Sequence, residues 1–252
     1  MLKNSRIRRK GKILLLSILF LLTAGLFAFT KINQNSKDDQ ILSYSVNIKT
    51  QDLKLYWKND NGETLNSIRN LKNYVESKNL TLKFAMNGGM FTDQFGPVGL
   101  FIQDGKTIKK INKSNGKGNF NWKPNGVFYI TKDNVPVVCQ TGEFVNKGNI
   151  KNATQSGPML LINGKIHDGF EKSTSLNIRN GVGILPNNNV VFAMSKKEIT
   201  FYDFAKYFQN LGCKNALYLD GAVSRMYLPE KKWEQTDGNF GVMIGVTNKK
   251  NK

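Results

Sequence analysis

"ALYLDGAVSRMYLP", residues 216–229, is the stretch on which the reading of this chain turns. An apolar run, Ala216 to Leu219, stops at Asp220. Gly221 and Ala222 follow, then Ser224 and Arg225, and apolar residues resume at Met226. Two apolar runs around an Asp-Gly pair read as strands joined by a tight turn. By itself that is an ordinary hairpin signal. An acid, a hydroxyl and a guanidinium on one turn also suit a site that holds an anion or a sugar, because functional groups gather on loops at strand ends.

The same punctuation runs through the chain. Asn-Gly occurs at 61, 87, 115, 125, 163 and 180, and Asp-Gly at 104, 168, 220 and 237. These pairs supply the positive φ of tight hairpin turns. "GLFIQDGKTIKKI" (99–111) and "PMLLINGKIH" (158–167) are therefore expected hairpins. Helices are expected where apolar residues fall on one face: Leu65, Ile68, Leu71 and Val75 in 64–78, and Phe201, Phe204, Ala205, Phe208 and Leu211 in 200–211. Thr200 and Asp203 make a cap for the second, and Gly212 is its stop. Many short strands and hairpins with two main helices predict an α+β fold. We expect one domain over 41–252 with largely antiparallel, mixed sheets.

Residues 1–12 carry six Lys or Arg and no acid, and residues 13–30 carry no charge. Eighteen residues make about 27 Å of helix, close to the hydrocarbon thickness of a bilayer. We therefore expect a cytoplasmic basic segment (1–12), a transmembrane signal anchor (13–30) and a polar stalk (31–40), with the domain outside the cytoplasm on the periplasmic or extracellular face. Secretion after signal cleavage is the alternative; no Ala-x-Ala site follows the apolar run.

The net charge of +19 falls to +13 once the eight cations and two acids of residues 1–40 are set aside. The remaining lysines are scattered, not striped. In an exported domain this charge serves solubility and attraction to anionic envelope polymers, and no nucleic-acid partner is expected. Cys139 and Cys213 are the two cysteines. They could pair after export, and Cys213 equally suits a buried free thiol. His167 is the single histidine, and no CxxC or HxxH spacing occurs, so neither a metal nor a cofactor is expected.

Four segments place small or polar residues where a sheet core would prefer bulk. In "FAMNGGMF" (84–91), Asn87, Gly88 and Gly89 end an apolar strand; they read as a turn or as an anion nest of backbone N–H groups. In "ATQSGPML" (153–160), Ser156 precedes Gly157-Pro158, and its hydroxyl suits capping or ligand binding better than nucleophilic attack. In "NIRNGVGIL" (177–185), Arg179 either lies on the strand's polar face or pairs with a phosphate or carboxylate. The fourth is the Asp220 turn, with Ser224 and Arg225.

Taken in order, these segments resemble the phosphodiester glycosidase domain family in its bacterial exported branch. "AMNGGMF", "PVGLFIQDGK", "GNFNWKPNGVFYI", "ATQSGPMLLINGKIHDGF", "IRNGVGILPNNNVVFAMS" and "FYDFAKYFQNLGCKNALYLDGAVSRMYLP" carry the resemblance over about 84–229. It implies an exported hydrolase that cleaves a sugar-1-phosphodiester, of the N-acetylglucosamine-1-phosphodiester kind, at the anomeric carbon, in envelope or exopolysaccharide metabolism. The motif positions are Asn87, Gly88, Gly89, Ser156, Gly157, Pro158, Arg179, Gly183, Asp220, Gly221 and Ser224. Asp220 is expected as the catalytic carboxylate and Arg179 as the phosphate contact, with Arg225 the second choice. His167 is a candidate proton-transfer group, and Asp93, Glu143 and Asp168 are reserve carboxylates. Ala222 stands where the family often has glycine, and would be strained if that position needs positive φ. The competing readings are a non-catalytic envelope module that binds phosphodiester-linked glycan through the same cleft, and an anchored interaction domain with a vestigial cleft.

Overall fold

The Asn-Gly and Asp-Gly signals fold as expected in two places. In a computed structural model, which describes residues 40–250, Asp104 and Gly105 have φ of 48° and 81°, and Asn163 and Gly164 have 51° and 80°. Two adjacent left-handed residues match the twist of the strands they join, so each pair closes a hairpin. The basic segment, the 13–30 span and all but the last residue of the stalk lie outside the described residues. Among those described, no helix is long and apolar enough to cross a membrane.

Strands are numbered β1 to β16 in chain order. One sheet runs β1 (Ile41–Val46), β12 (Val190–Ser195), β11 (Asn180–Ile184), β13 (Ala216–Asp220), β9 (Met159–Ile162) and β10 (Lys165–Ile166). A second runs β15 (Trp233–Glu234), β14 (Met226–Leu228), β3 (Leu80–Asn87), β16 (Met243–Lys249) and β2 (Asp52–Tyr56). A third runs β5 (Lys106–Lys109), β4 (Phe101–Gln103), β8 (Ile150–Ser156), β6 (Gly126–Thr131) and β7 (Pro136–Gln140). Most neighbours pair antiparallel, among them β11 with β12 and β13, β3 with β14 and β16, and β6 with β7 and β8.

The opening stretch is not a hairpin. β13 lies in the first sheet between β11 and β9, and β14 lies in the second between β15 and β3. Residues 221–225 therefore carry the chain from one sheet to another. The strands around that crossing are buried on both faces: all five residues of β13 and all three of β14 are buried. One core joins the sheets, with Phe84 stacked between Tyr44 (4.9 Å) and Phe192 (5.3 Å).

The two helices cover this frame. The first, Ile68–Ser77, is capped by Ser67, whose hydroxyl accepts from Asn70 N, and it buries Ile68, Leu71 and Val75. It begins later than the periodicity from 64 suggests, because Asn66 has φ of 60° and cannot be helical. Leu65 packs in the same apolar cluster without belonging to the helix. The second helix, Phe201–Asn210, has the expected Thr200 cap accepting from Asp203 N at 3.0 Å, and Gly212 follows at φ 79°. Both cysteines are free thiols, and burial pushes each up to about 11, so neither is a ready thiolate.

Candidate active site

The crossing from β13 to β14 brings together residues far apart in sequence. β3 ends at Asn87 beside β14, β13 ends at Asp220, and β11 begins at Asn180, whose register partner is Asp220. The Asn87 side-chain amide donates to Asp220 Oδ2 at 3.2 Å. Asp220 Oδ1 accepts from the Gly221 and Ala222 backbone N–H groups at 2.6 and 3.3 Å. Asn87 Oδ1 in turn accepts from Asn180 Nδ2 at 2.8 Å and from Arg225 N at 3.1 Å.

Asp220 is 8% exposed. Burial raises its pKa above the ordinary carboxylate value, and the three N–H donors pull it back down without cancelling the rise. The donors meet both oxygens and offer nothing to a carboxyl proton. They orient a carboxylate at the end of β13.

Ser156 and Ser224 serve this corner from behind. Ser156 Oγ donates to Leu219 O at 2.8 Å, tying β8 to β13 one residue before Asp220. Ser224 Oγ lies 3.2 Å from both Ile178 O and Asp220 O, bracing the turn against the entry to β11. Both hydroxyls are buried and their protons are committed to backbone carbonyls; Ser156 ties two strands together and caps no helix. Gly157 follows at the end of β8, packed on the Asn125 side chain. Gly88 is spent on neither a free turn nor an anion nest. Its N–H donates to Val242 O at 2.8 Å, and a Cβ there would sit 2.6 Å from Ile244 Cγ1, so glycine allows close strand packing. Gly89 likewise abuts the Thr154 hydroxyl, which donates to Gly88 O. Ala222 is exposed and is not among the residues with positive φ, so it carries no strain.

Arg179 departs most from expectation. Its side chain is fully buried and is neither on a polar face nor paired with an acid. Nε donates to Ile199 O at 2.9 Å, one terminal nitrogen to Ser175 O at 2.7 Å, and the other reaches the Tyr218 hydroxyl at 3.4 Å. The guanidinium stacks 3.5 Å over the Phe201 ring. Burial lowers its pKa, and carbonyl dipoles and ring faces do the work of a counter-ion. A phosphate arriving from solvent meets none of its N–H groups in this arrangement. His167 is also committed: Nε2 donates to Lys123 O at 3.0 Å, and Nδ1 accepts from Gly169 N at 3.0 Å. That pairing selects the Nε2–H tautomer and leaves no nitrogen for proton transfer.

Arg225 is the cation that the turn does present. Its side chain is about a third exposed, with Nε 2.9 Å from Asp237 Oδ2. The reserve carboxylates lie apart from this cluster. Asp93 is on an exposed loop. Glu143 accepts from Gln140 N at 3.1 Å, and Asp168, itself exposed, opens a 3₁₀ turn that buries Phe170. Among the described residues, no group of three or more His, Cys, Asp or Glu could hold a metal ion.

Two residues of the cluster escaped sequence reasoning. Asn180 looked like one more Asn-Gly turn residue, although it follows the singled-out Arg179. Tyr218 looked like core; its hydroxyl lies against Gly221, where a Cβ would overlap it. The pleat was the available signal for Tyr218, since it shares a strand face with Asp220.

Residues 81–247 match the phosphodiester glycosidase family, a span running from β3 into β16 and including Asn87, Asn180 and Asp220. The chain belongs to that family. It is 39% identical over 211 residues, 83% of this chain and 82% of the other, to YigE of Escherichia coli, a protein described as uncharacterized. Among solved structures it is similar to the zebrafish N-acetylglucosamine-1-phosphodiester alpha-N-acetylglucosaminidase catalytic domain, auto-inhibited by its pro-peptide. The TM-score is 0.57 at 15% identity, covering 82% of this chain and 81% of that one. A hypothetical protein from Synechocystis gives 0.50 at 14%, over 82% and 59% of the two chains. At such identities the structural likenesses show the fold alone.

Proposed function

We propose that this protein hydrolyses a sugar-1-phosphodiester at the anomeric carbon, with Asp220 as the carboxylate that acts on that carbon. The observation that carries this reading is the setting of Asp220: nearly buried, with both oxygens held by N–H donors. In the reaction the bond between C1 and the phosphate oxygen breaks and the elements of water add. The products are a free sugar and a phosphate monoester. Phosphate is a good leaving group, so the step needs a carboxylate for the oxocarbenium-like carbon more than it needs a strong acid. Inversion at C1 would assign Asp220 as the base that activates water; retention would assign it as the nucleophile.

Arg225 replaces Arg179 as the phosphate contact in this proposal, because its guanidinium is presented and its backbone is tied to Asn87. N-acetylglucosamine-1-phosphodiester is the substrate to try first, given the activity for which the similar zebrafish enzyme is named. The apolar 13–30 segment behind a basic flank would hold the domain outside the cytoplasm, among envelope glycans.

The test incubates the full chain with a GlcNAc-1-phosphodiester and follows the anomeric proton by NMR. Free sugar should appear, and its anomeric configuration at early times gives the stereochemistry. Line broadening without release would overturn the enzyme reading in favour of a glycan-binding module.

A further inference from the structure

The buried amide of Asn180 ties β11 to the end of β3 through Asn87, and half of it is left over. Its side chain is fully buried, and its Oδ1 has no hydrogen-bond partner. An orphaned buried acceptor is costly, and a position selected only for packing would be apolar. The amide cannot turn over to relieve this. Its Nδ2 lies 3.0 Å from Asn87 O and 2.8 Å from Asn87 Oδ1, so a flip would set oxygen against two oxygens.

The same logic applies one step on. Asn87 Oδ1 accepts from Asn180 Nδ2 and from Arg225 N, which forces the Asn87 NH₂ to face Asp220 Oδ2. Donors thus point in one direction along the chain from Asn180 through Asn87 to Asp220, and aligned bonds of this kind polarise one another. If Asn87 turned over, its oxygen would face Asp220, and only a protonated Asp220 could bond to it.

We propose that Asn180 is a positioning residue that acts through the Asn87 amide to keep Asp220 in the carboxylate form. The inference rests on reading Asp220 as the working carboxylate. The other charged or titratable groups around Asp220 do not supply this hydrogen bond. Tyr218, on the same strand, reaches Arg179, and burial raises its pKa so that it stays protonated. Arg179 is turned toward Ser175 and Ile199, and the Arg225 guanidinium bonds Asp237 and Ser224 O.

The experiment titrates the full-length protein labelled with ¹³Cγ aspartate, the Asp220 signal being assigned by its absence in Asp220→Asn. Asn180→Leu removes the donor without adding charge and keeps the number and branching of the side-chain heavy atoms. The Asp220 midpoint should rise by about half a pH unit or more, with Arg225 N still holding Asn87 in part. Asn87→Leu, which removes the direct donor, should raise it at least as much. Asn180→Ser serves if the leucine variant does not fold. A midpoint that stays put in a folded Asn180 variant, while Asn87→Leu moves it, would overturn the positioning role. The acid limb of sugar release should rise in parallel. If the wild-type protein releases no sugar, the midpoint comparison still stands, so failure of the enzyme reading and failure of the positioning role give different results.

Discussion

Asp104-Gly105 and Asp220-Gly221 are the same dipeptide between apolar runs, and the chain uses them in opposite ways. Asp104 and Gly105 are exposed, both have positive φ, and they close β4 onto β5 within one sheet. Asp220 and Gly221 are buried, neither has positive φ, and they begin a passage between two sheets. At 105 glycine meets a backbone requirement. At 221 it meets a side-chain requirement, since a Cβ would overlap the Tyr218 hydroxyl. One turn ends a hairpin; the other aims a carboxylate.

The largest effect expected from this contrast is on the acids. Asp220→Asn should cut sugar release by about a thousandfold or more, whereas Asp104→Asn should leave it unchanged, as steady-state rates would show. Stability should separate them as well. Because burial raises the Asp220 pKa, its ionisation destabilises the folded state at pH above the ordinary carboxylate value. Wild-type stability attributable to this group is therefore greatest below that value and falls as pH rises through the window between the unfolded and the raised folded pKa. Asp220→Asn should lose that slope, measured by denaturant titration across pH 4–8.

The glycines come next. Gly221→Ala should cost about 1–3 kcal/mol through overpacking and lower sugar release by about a hundredfold, and Tyr218→Phe in the same chain should restore much of both. Gly105→Ala meets only ordinary van der Waals contacts but a positive φ of 81°, so it should cost about 1 kcal/mol with no change in rate. A Gly221→Ala protein with wild-type activity would show that the turn does not place Asp220.

The arginines should separate stability from binding. Arg179→Met takes the guanidinium donors from Ser175 O and from Ile199 O, which keeps only the longer bond from Asn177 N, and should cost about 2–4 kcal/mol of stability, with KM nearly unchanged. Arg225→Ala should raise KM about tenfold and alter stability by about 0.5 kcal/mol or less, because its ion pair is solvated. The reverse pattern would restore Arg179 as the phosphate contact. The smallest effect is expected at His167. His167→Gln should change activity by less than about threefold, leave its pH profile in place and lower stability by about 1–2 kcal/mol through the lost bond to Lys123 O.

Local physics carried much of this fold into the sequence. The hairpins at 104–105 and 163–164 were legible because two successive left-handed residues demand Asn-Gly or Asp-Gly. The second helix was legible because a Thr cap, a 3.6-residue apolar stripe and a terminal glycine coincide. The apolar stripe starts the first helix at 64, four residues before its actual start at Ile68, since nothing in such a stripe announces that Asn66 will turn left-handed. In the candidate site Asn87, Ser156 and Asp220 stood out as polar residues at strand ends. Asn180 did not, because its role depends on Asn87, 93 residues away.

What the sequence by itself determined is an α+β chain of short antiparallel strands, the family it resembles, and the segments that would meet. Repeating turn chemistry and ordered motifs are properties of neighbouring residues and survive without coordinates. Only the tertiary structure decided that the turn after Asp220 crosses between sheets, that Arg179 and His167 are spent on the scaffold, and that Asn180 and Asn87 direct their N–H groups toward Asp220. Burial and hydrogen-bond direction depend on what packs from other strands, and a carboxylate's chemistry depends on both.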